Sequence, residues 1–455
     1  MASRDGQDRV QTAGRLVSRS VSIPPTALRD VLRLDRPIHA AVTAPDGPTV
    51  VASGSAATAT AEGADRFAGI RDTATTVYET VDDDSVPDGA RPRFVGGFAF
   101  HDRHERAHPW DDFPGAWFAL PSVQIVLGED GGWITATGNR DERSPSEIVA
   151  TAESVRDGLV SGGPAEETPG VSSVVRETTL EEWTEQLEGA LSRIDAGDIE
   201  KVALAQTLRA NLEAQFPLAS VIERLGETYP DCFLFALRPG AGYTEPTHSG
   251  EQAPPVPTFF GASPERLVTK AGDTVRTGAL ASTVGRGDTE TEDDRLADRL
   301  RTDEKFQREH RVVVESIREQ LTPVARNVQT GSRTVRRLDS VQHLYTPIEA
   351  TATADHVLAV VTALHPTPAV GGLPPDVALE TIRNTETFDR GWYAAPVGWF
   401  DEEGDGTFAV GIRSAVGEDR EATLFAGNGI VADSDPVAEW EEVQLKYEPI
   451  LDALR

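Results

Sequence analysis

Apolar residues recur at helical spacing between residues 178 and 197. Three or four positions separate each from the next, so they would share one face of a helix. The apolar positions of this face are Leu180, Trp183, Leu187, Leu191 and Ile194. Thr178 and Glu181 have the spacing of a capping box, and Gly197 suits the residue that follows the last turn. The pattern predicts one amphipathic helix over this stretch.

The stretch that follows, "IEKVALAQTLRANL", changes to strict alternation, which is typical of a β-strand. Apolar side chains occupy one face of the strand. The other face carries Lys201 among the small side chains of Ala203, Ala205 and Thr207. A second segment, "GTFAVGIRSAV", repeats the device, with Arg413 on the face of two small residues. Either strand alone is read more simply as an edge strand with a solvent-facing base, but together they suggest the floor of a cavity.

Two helical segments place carboxylates beside apolar stripes. In the last helix, predicted to begin at Pro436 with Asp435 or Ser434 as its cap, Glu439, Glu442 and Lys446 lie on one stripe. Carboxylates three residues apart can hold a hard cation such as Mg²⁺, whereas a solvated Glu–Lys face is the more common arrangement. Within "DEKFQREHRVVVESIREQL", Glu309 falls at the rim of a buried stripe, with the same two readings.

Composition limits the class of protein. The 455 residues have a formal net charge of −31, which would repel the phosphates of nucleic acid. Only four of the 43 basic residues are lysines, at positions 201, 270, 305 and 446. The dispersed acid and the preference for arginine suggest a high-salt (halophilic) habitat, where screening tolerates self-repulsion. A single cysteine, Cys232, and the lack of an apolar span or signal segment favour a cytoplasmic protein.

The chain divides at a linker-like stretch over 161–170. Residues 1–165 are expected to form the N-terminal part of a sheet body, and residues 171–455 the catalytic region. A polar insert over 240–257 suggests a surface loop. The histidines of "HDRHERAH" (101–108) have no partner cluster for zinc, so a polar loop or helix start is favoured. "AGNGI" (426–430) is not a nucleotide motif, but it offers backbone N–H groups to an anion.

In order, these segments resemble the chorismate-utilising enzymes, which include isochorismate synthases, salicylate synthases and the chorismate-binding subunits of anthranilate and aminodeoxychorismate synthases. The segments that carry the resemblance are "GDIEKVALAQ", "FFGASPERLV", "TGALASTVGRG", "REHRVVVESI", "VQHLYT", "LHPTPAVGG", "FDRGWYAAPVGW", "VGIRSA" and "AGNGIVADSDPVAEWEEVQLK". "GGFAFHDRHERAHPWDDFPGAWFALP" also resembles the family, which makes its histidines structural. The resemblance implies an α+β fold of the anthranilate synthase component I type, with two large antiparallel sheets packed together and helices outside.

The same resemblance assigns roles to individual residues. Mg²⁺ would be held by Glu309 and Glu442, with Glu439 binding it directly or through water. The groups that would bind the substrate chorismate are Tyr393, Arg413, His343, Ala369, Lys446 and the backbone at Gly427 and Gly429. Of the other three lysines, only Lys446 falls in the implied site together with Lys201.

Four positions distinguish members of the family. Lys201 stands where ammonia-using members have glutamine, and it would activate water as a base, which requires partial loss of its proton. Glu265 would be the general acid that protonates the departing C4 hydroxyl, which requires a raised pKa. Ala369 replaces the threonine usual in lyase members, and Ala281 replaces the nucleophilic lysine of aminodeoxychorismate synthases.

These positions imply an Mg²⁺-dependent isochorismate synthase, an isomerase most simply placed in menaquinone synthesis, with siderophore or salicylate supply second. A salicylate synthase is the nearest alternative, followed by an anthranilate synthase subunit. No glutaminase partner is expected, and the protein would be a monomer or homodimer. Ser282, in place of a usual glycine, and Gln206, in place of a common arginine, depart from the family pattern.

Overall fold

A computed structural model describes residues 14–159, 167–240, 256–338 and 341–455. Most of the linker predicted over 161–170 and of the insert predicted over 240–257 lies outside these ranges. The α-helices within them are α1 Leu28–Leu32, α2 Arg66–Tyr78, α3 Pro145–Asp157, α4 Leu180–Asp195, α5 Leu218–Thr228, α6 Glu290–Thr302, α7 Glu304–Leu321, α8 Val357–Leu364, α9 Pro375–Thr385 and α10 Pro436–Leu454. In the described part of the chain, no helix is both long and apolar enough to cross a membrane.

The strands of the same ranges form two large sheets. In chain order they are β1 Leu16–Ile23, β2 Ile38–Thr43, β3 Thr49–Ser53, β4 Ala57–Ala61, β5 Val81–Asp82, β6 Phe94–Phe98, β7 Ala116–Leu120, β8 Val123–Gly128, β9 Gly131–Asn139, β10 Val171–Arg176, β11 Lys201–Leu212, β12 Phe233–Leu237, β13 Thr258–Ser263, β14 Arg266–Ala271, β15 Thr274–Gly285, β16 Ala325–Thr330, β17 Thr334–Arg337, β18 Val341–Ala352, β19 Gly372–Leu373, β20 Pro396–Phe400, β21 Gly406–Val410, β22 Ser414–Glu418 and β23 Glu421–Ile430.

The larger sheet has the order β10-β11-β23-β22-β13-β12-β2-β3-β8-β9-β1-β5, with β19 beside β11. The smaller sheet has the order β16-β18-β15-β14-β21-β20-β6-β7-β4, with β17 beside β18. Pairing is antiparallel apart from the short contact of β1 with β5. Helices pack on the sheets, for example α10 on β23, α7 on β15 and α3 on β1. The predicted α+β architecture of two large antiparallel sheets with helices is confirmed.

Strands from the N-terminal part complete both sheets. β2 pairs with β12 in the larger sheet, and β6 pairs with β20 in the smaller one. One continuous apolar cluster runs through the protein, from Leu16 at one end of the chain to Leu454 at the other. Of the histidines of 101–108, His104 is held within this body: its Nδ1 lies 2.8 Å from Asp389 Oδ2, and its Nε2 lies 2.7 Å from the Phe113 carbonyl oxygen. The interpretation of this cluster as structural agrees with these contacts.

Two of the places where the chain passes from one sheet to the other lie side by side. β13 of the larger sheet leads through Pro264 and Glu265 into β14 of the smaller one, and β21 returns through residues 411–413 into β22. The two crossings are joined by backbone hydrogen bonds: the Val410 N–H donates to the Glu265 carbonyl at 3.0 Å, and the Ala262 N–H donates to the Arg413 carbonyl at 3.1 Å. Arg413 has φ +51°. The expectation that it continues a regular strand is therefore wrong.

The helix before β11 differs from its prediction by one residue. The capping box joins Thr179 and Glu182, not Thr178 and Glu181, because consecutive threonines and glutamates allow both registers by spacing alone. Trp183 is fully buried, whereas the first predicted core position, Leu180, is 41% exposed. Asp435 caps α10 by accepting from the N–H groups of the second and third helical residues, as expected.

Candidate active site

A cavity of about 170 Å³ lies where β11 and β23 of one sheet approach β15 and β18 of the other. Side chains from both sheets, α7, α10 and the two crossings line it. All the residues that the resemblance places in the site border this cavity, namely Lys201, Glu265, Glu309, His343, Ala369, Tyr393, Arg413, Gly427, Gly429, Glu439, Glu442 and Lys446. The fold therefore brings together residues that are up to 245 positions apart, from 201 to 446.

Lys201 is the first residue of β11, and its side chain is buried against the cavity. Its Nζ donates to Glu309 Oε1 at 3.3 Å. The neighbouring strand leaves room for it because residue 429 is glycine: a Cβ there would lie 2.5 Å from Lys201 Cε and 2.9 Å from Nζ. Gly429 thus has a steric reason to lack a side chain, beyond any backbone contact with a ligand.

Glu309 reaches the cavity from α7 and is held at both oxygens. Oε1 accepts from Lys201, and Oε2 accepts from the hydroxyl of Ser282 at 2.9 Å. Ser282 stands at a register shift in β15 with φ +63°, a conformation in which glycine carries no steric penalty. Its hydroxyl, which also lies 2.9 Å from the Phe306 carbonyl, gives the departure from glycine a local contact.

Glu265 occupies the first sheet crossing and is buried. Burial raises the pKa of its carboxyl to about 7, although the Thr367 hydroxyl and the charge of Lys201 act in the opposite direction. Thr367 Oγ1 donates to Glu265 Oε1 at 3.2 Å, and Ser263 Oγ accepts from the Glu265 N–H at 3.2 Å. A buried carboxyl with this pKa carries its proton in a large fraction of molecules near neutral pH and can deliver it to a leaving group.

Carboxylates and a lysine of α10 form the wall opposite α7. Lys446 Nζ lies 2.8 Å from Glu442 Oε1 and donates to the Gly427 carbonyl at 3.0 Å. Asn428 links the two elements: its amide donates to Glu439 Oε2 at 2.9 Å, and its oxygen accepts from Lys446. Burial and, secondly, the nearby charge of Glu442 raise the pKa of Glu439. Glu439 is therefore poorly solvated and lies close to a second carboxylate.

β23 extends through Ile430, so "AGNGI" is the end of a strand and not a loop after one. Gly427 and Gly429 stand opposite Ala205 and Ala203 of β11, whose N–H groups donate to Glu386 and to the Gly371 carbonyl instead. By antiparallel geometry, the N–H groups of both glycines then point away from β11. β22 pairs with β23 only as far as residue 425, so these donors face the cavity side.

Arg413, Tyr393 and His343 supply the remaining polar wall. The Arg413 guanidinium is buried, and no protein group described here bonds its Nη1. Tyr393 stacks on Phe425 with ring centroids 5.4 Å apart, and burial raises its pKa to about 12. Burial also holds the pKa of His343 well below 6.5, so the ring is neutral, with Nδ1 3.0 Å from the Thr283 hydroxyl. An anionic ligand would give the Arg413 donor a partner.

Sequence reasoning missed two features of the cavity. Arg390 and Glu386 form a buried ion pair at 2.6 Å beneath β11, although the i, i+4 spacing was visible in the sequence. Lys305 also lines the cavity, so Lys446 is not the only other lysine there and three of the four lysines meet at this site. Gln206, the second departure from the family pattern, is buried, and no described protein group bonds its Nε2.

Comparison with known proteins agrees with this arrangement. A family model described as chorismate binding enzyme matches residues 9–455, which is nearly the whole chain. The chain belongs to the chorismate-binding enzyme family. Membership accounts for the cluster of cations, carboxylates and free donors around one cavity, since the family is defined by binding a compound that carries carboxylates.

Individual members of the chorismate-binding family are similar over most of their length. Isochorismate synthase MenF of Bacillus subtilis is 34% identical over 80% of this chain and 74% of its own. The salicylate biosynthesis isochorismate synthase of Pseudomonas aeruginosa is 36% identical over 86% of this chain and 80% of its own. The solved structure of the menaquinone-specific isochorismate synthase MenF from Escherichia coli superposes with a TM-score of 0.77, 26% identity, and coverage of 99% of this chain and 97% of that chain.

Proposed function

We propose that this protein is an isochorismate synthase, which converts chorismate to isochorismate. The observation that carries the proposal is that Lys201 and Glu265 line the same cavity. Both are buried, and the carboxyl of Glu265 has a pKa of about 7. The reaction needs a base for water and an acid for the departing hydroxyl, and these two groups have the required chemistry. The similar isochorismate synthases of two bacteria support the same reaction.

The proton steps balance without a further reactant. Lys201 acts as the base that removes a proton from water, whose oxygen then bonds to ring carbon C2. The double bonds shift, and the C4–O bond breaks as Glu265 donates its proton to the leaving hydroxyl. One water is consumed and one is released, so the substrate is isomerised. The proton gained by Lys201 then passes through solvent to Glu265, which restores both groups for the next turnover. Arginine could not replace Lys201, because a guanidinium does not lose its proton near neutral pH.

The remaining polar groups fit the two carboxylates of the substrate. Arg413 and Tyr393 would hold the enolpyruvyl carboxylate, since Arg413 offers a buried donor with no bond to a described protein group. Lys446 and the N–H groups of Gly427 and Gly429 would hold the ring carboxylate. Neutral His343 and Ala369 would border the reacting face.

The acidic wall fits Mg²⁺. Among the described residues, no three His, Cys, Asp or Glu side chains are close enough to hold a metal by themselves. Mg²⁺ commonly binds one or two carboxylates together with water and a ligand oxygen, and Glu309, Glu442 and Glu439 offer such oxygens. The raised pKa of Glu439 beside Glu442 reflects negative charge that a cation would offset. When bound, Mg²⁺ would polarise the ring carboxylate. It would also offset the negative charge of Glu309, which attracts Lys201.

The nearest alternative is a salicylate synthase, which would also eliminate pyruvate. Ala369 places a methyl group at the cavity position where lyase members carry a hydroxyl, which favours release of isochorismate. Incubation with chorismate and Mg²⁺, followed by chromatography, tests the choice. We expect isochorismate without pyruvate, and salicylate as the main product would overturn the proposal. Added ammonium should yield no anthranilate, since Lys201 activates water.

Several broader assignments follow from the same proposal. Menaquinone synthesis is the favoured pathway, with salicylate or siderophore supply second, and we infer a cytoplasmic enzyme that works without a glutaminase subunit as a monomer or homodimer. Residues 1–165 and 171–455 would act as parts of one body. The net charge of −31 leads us to expect activity at high salt. Activity measured across salt concentrations would test the expected salt dependence, and sedimentation would test the oligomeric state.

A further inference from the structure

Lys305 lies where the cavity opens to solvent. It belongs to the first turn of α7, four residues before Glu309, so both project from the same helical face. Lys305 lines the cavity, yet its side chain is 41% exposed, whereas Lys201 is buried. Its Nζ lies 3.2 Å from Asp433 Oδ2, in the turn between β23 and α10. The ion pair therefore joins the helix of Glu309 to the segment that precedes Glu439, beside the cavity.

The charge of the whole molecule gives this position a purpose. A net charge of −31 repels an anionic substrate, and screening limits the reach of a distant cation to about 8 Å at physiological ionic strength. A cation at the opening acts within that distance of an arriving carboxylate. Lysine is rare in this chain, and the three lysines at the cavity are a compact, mobile form of positive charge.

We propose that Lys305 recruits the dianionic substrate at the cavity opening, and that Asp433 restrains this capture by competing for the same ammonium group. The inference rests on the proposed function, since it assumes a substrate with carboxylates. The pair with Asp433 is half-exposed, and ion pairs of this kind contribute little to stability, so a substrate carboxylate can replace Asp433 at small cost. Lys305 then positions the substrate without taking part in proton transfer.

Recruitment and closure of the opening predict opposite effects of removing Asp433. If Lys305 and Asp433 only held the opening shut over the substrate, removal of either partner would impair the enzyme. If Asp433 competes with the substrate, Lys305→Gln and Asp433→Asn should have opposite effects. The two variants together therefore separate recruitment from closure.

A second ion pair offers matched controls. Arg71 and Asp72 on α2 pair at 3.0 Å, with side-chain exposures of 45% and 69%, close to the 41% and 61% of Lys305 and Asp433. Arg71→Gln and Asp72→Asn change the net charge by the same amounts and do not touch the cavity. They report the effect of overall charge alone.

The experiment measures kcat/KM for chorismate at low and high salt in the four variants. We expect Lys305→Gln to lower kcat/KM about tenfold at low salt, mainly through KM. Asp433→Asn should raise it about twofold, because the competing negative charge is gone, although the main-chain carbonyl at 433, 3.5 Å from the ammonium group, remains. Both differences should shrink as salt rises, and the controls should stay near the parent value. Loss in both cavity variants, or no difference from the controls, would overturn recruitment.

Binding without turnover keeps the inference separate from the proposed reaction. Calorimetric titration of chorismate into the Lys201→Ala background, with and without Lys305→Gln or Asp433→Asn, measures affinity alone. Weaker binding with Lys305→Gln and tighter binding with Asp433→Asn support recruitment even where no isochorismate forms. An unchanged affinity in both variants would refute it while leaving the isomerase proposal intact.

Discussion

Two buried cation–carboxylate pairs lie beside the same strand and have opposite designs. Arg390 and Glu386 are 2% and 3% exposed, and the guanidinium bonds Glu386, the Val370 carbonyl and the Ala203 carbonyl. Glu386 in turn accepts from the Ala205 N–H at 2.8 Å. Lys201 and Glu309 are 3.3 Å apart, and the carboxylate is 18% exposed at the cavity.

The difference separates support from chemistry. Every interaction named for the first pair ends on protein, so the pair fixes the backbone of β11 at the two alanines that clear the strand face. In the second pair, one long contact joins the lysine to the carboxylate, which also accepts from the Ser282 hydroxyl, and the pair faces a space that a ligand can enter. A charge satisfied on all sides holds a shape, whereas a charge with an open side can exchange partners.

The largest effect should come from the open pair. Lys201→Ala is expected to lower kcat by up to about 10⁴-fold, the upper range for loss of a general base. Lys201→Arg should be comparably inactive, because it keeps the charge but not the ability to lose a proton. Thermal unfolding and chorismate binding should change little, since Glu309 still reaches the cavity. Substantial turnover of either variant at neutral pH would refute the assignment of the base.

The closed pair should show the reverse pattern. Glu386→Gln leaves the Arg390 charge buried without its partner, and breaking such pairs costs about 3–5 kcal/mol. We expect a clearly lower midpoint of urea unfolding, with any folded fraction still active. The double variant Glu386→Leu/Arg390→Met leaves no buried charge and should recover part of the loss. A Glu386→Gln protein as stable as the parent would contradict the supporting role.

Glu265 should affect both turnover and stability. Its carboxyl ionises near pH 4.5 in the unfolded chain and near pH 7 when folded, so the folded protein loses stability as pH rises through this window, by about 3 kcal/mol in total. Glu265→Gln should remove that pH dependence and raise the unfolding midpoint at pH 8. It should also lower turnover by about 10²-fold or more. In the parent enzyme, turnover should fall above pH 7 as the acid ionises.

The smallest effect concerns Thr367, which holds the acid. Its hydroxyl lowers the pKa of Glu265, so Thr367→Val should raise that pKa. The alkaline limb of the pH–rate profile should move upward by the same amount, with a modest loss of kcat. Thr362→Val, whose hydroxyl bonds within its own helix, is the control. A profile that stays in place would exclude the proposed influence on the acid.

Local signals in the sequence are sufficient to predict helices and strands, but not the segments that connect one sheet to the other. The Asp435 cap and the alternation after Lys201 were read from residues within one turn or strand, where short-range geometry decides the outcome. Arg413 was misread as a strand residue because no pattern in its neighbours reveals a crossing between sheets. The spacing of Lys305 and Glu309 places both on one face of α7, but spacing alone does not show that this face reaches the cavity at residue 305.

By itself, the sequence determined the residue types of the site and, through the order of its motifs, the family. These depend on chemistry that a side chain carries anywhere, such as the ability of lysine, and not arginine, to lose a proton near neutral pH. Only the tertiary structure decided which charged groups can contact a ligand in the cavity and which are bonded to protein alone. That distinction depends on burial and on partners from distant strands. Glu265 has a pKa of about 7 because burial between the two sheets excludes water from its carboxyl. Arg390 is assigned a structural role because it donates to backbone carbonyls.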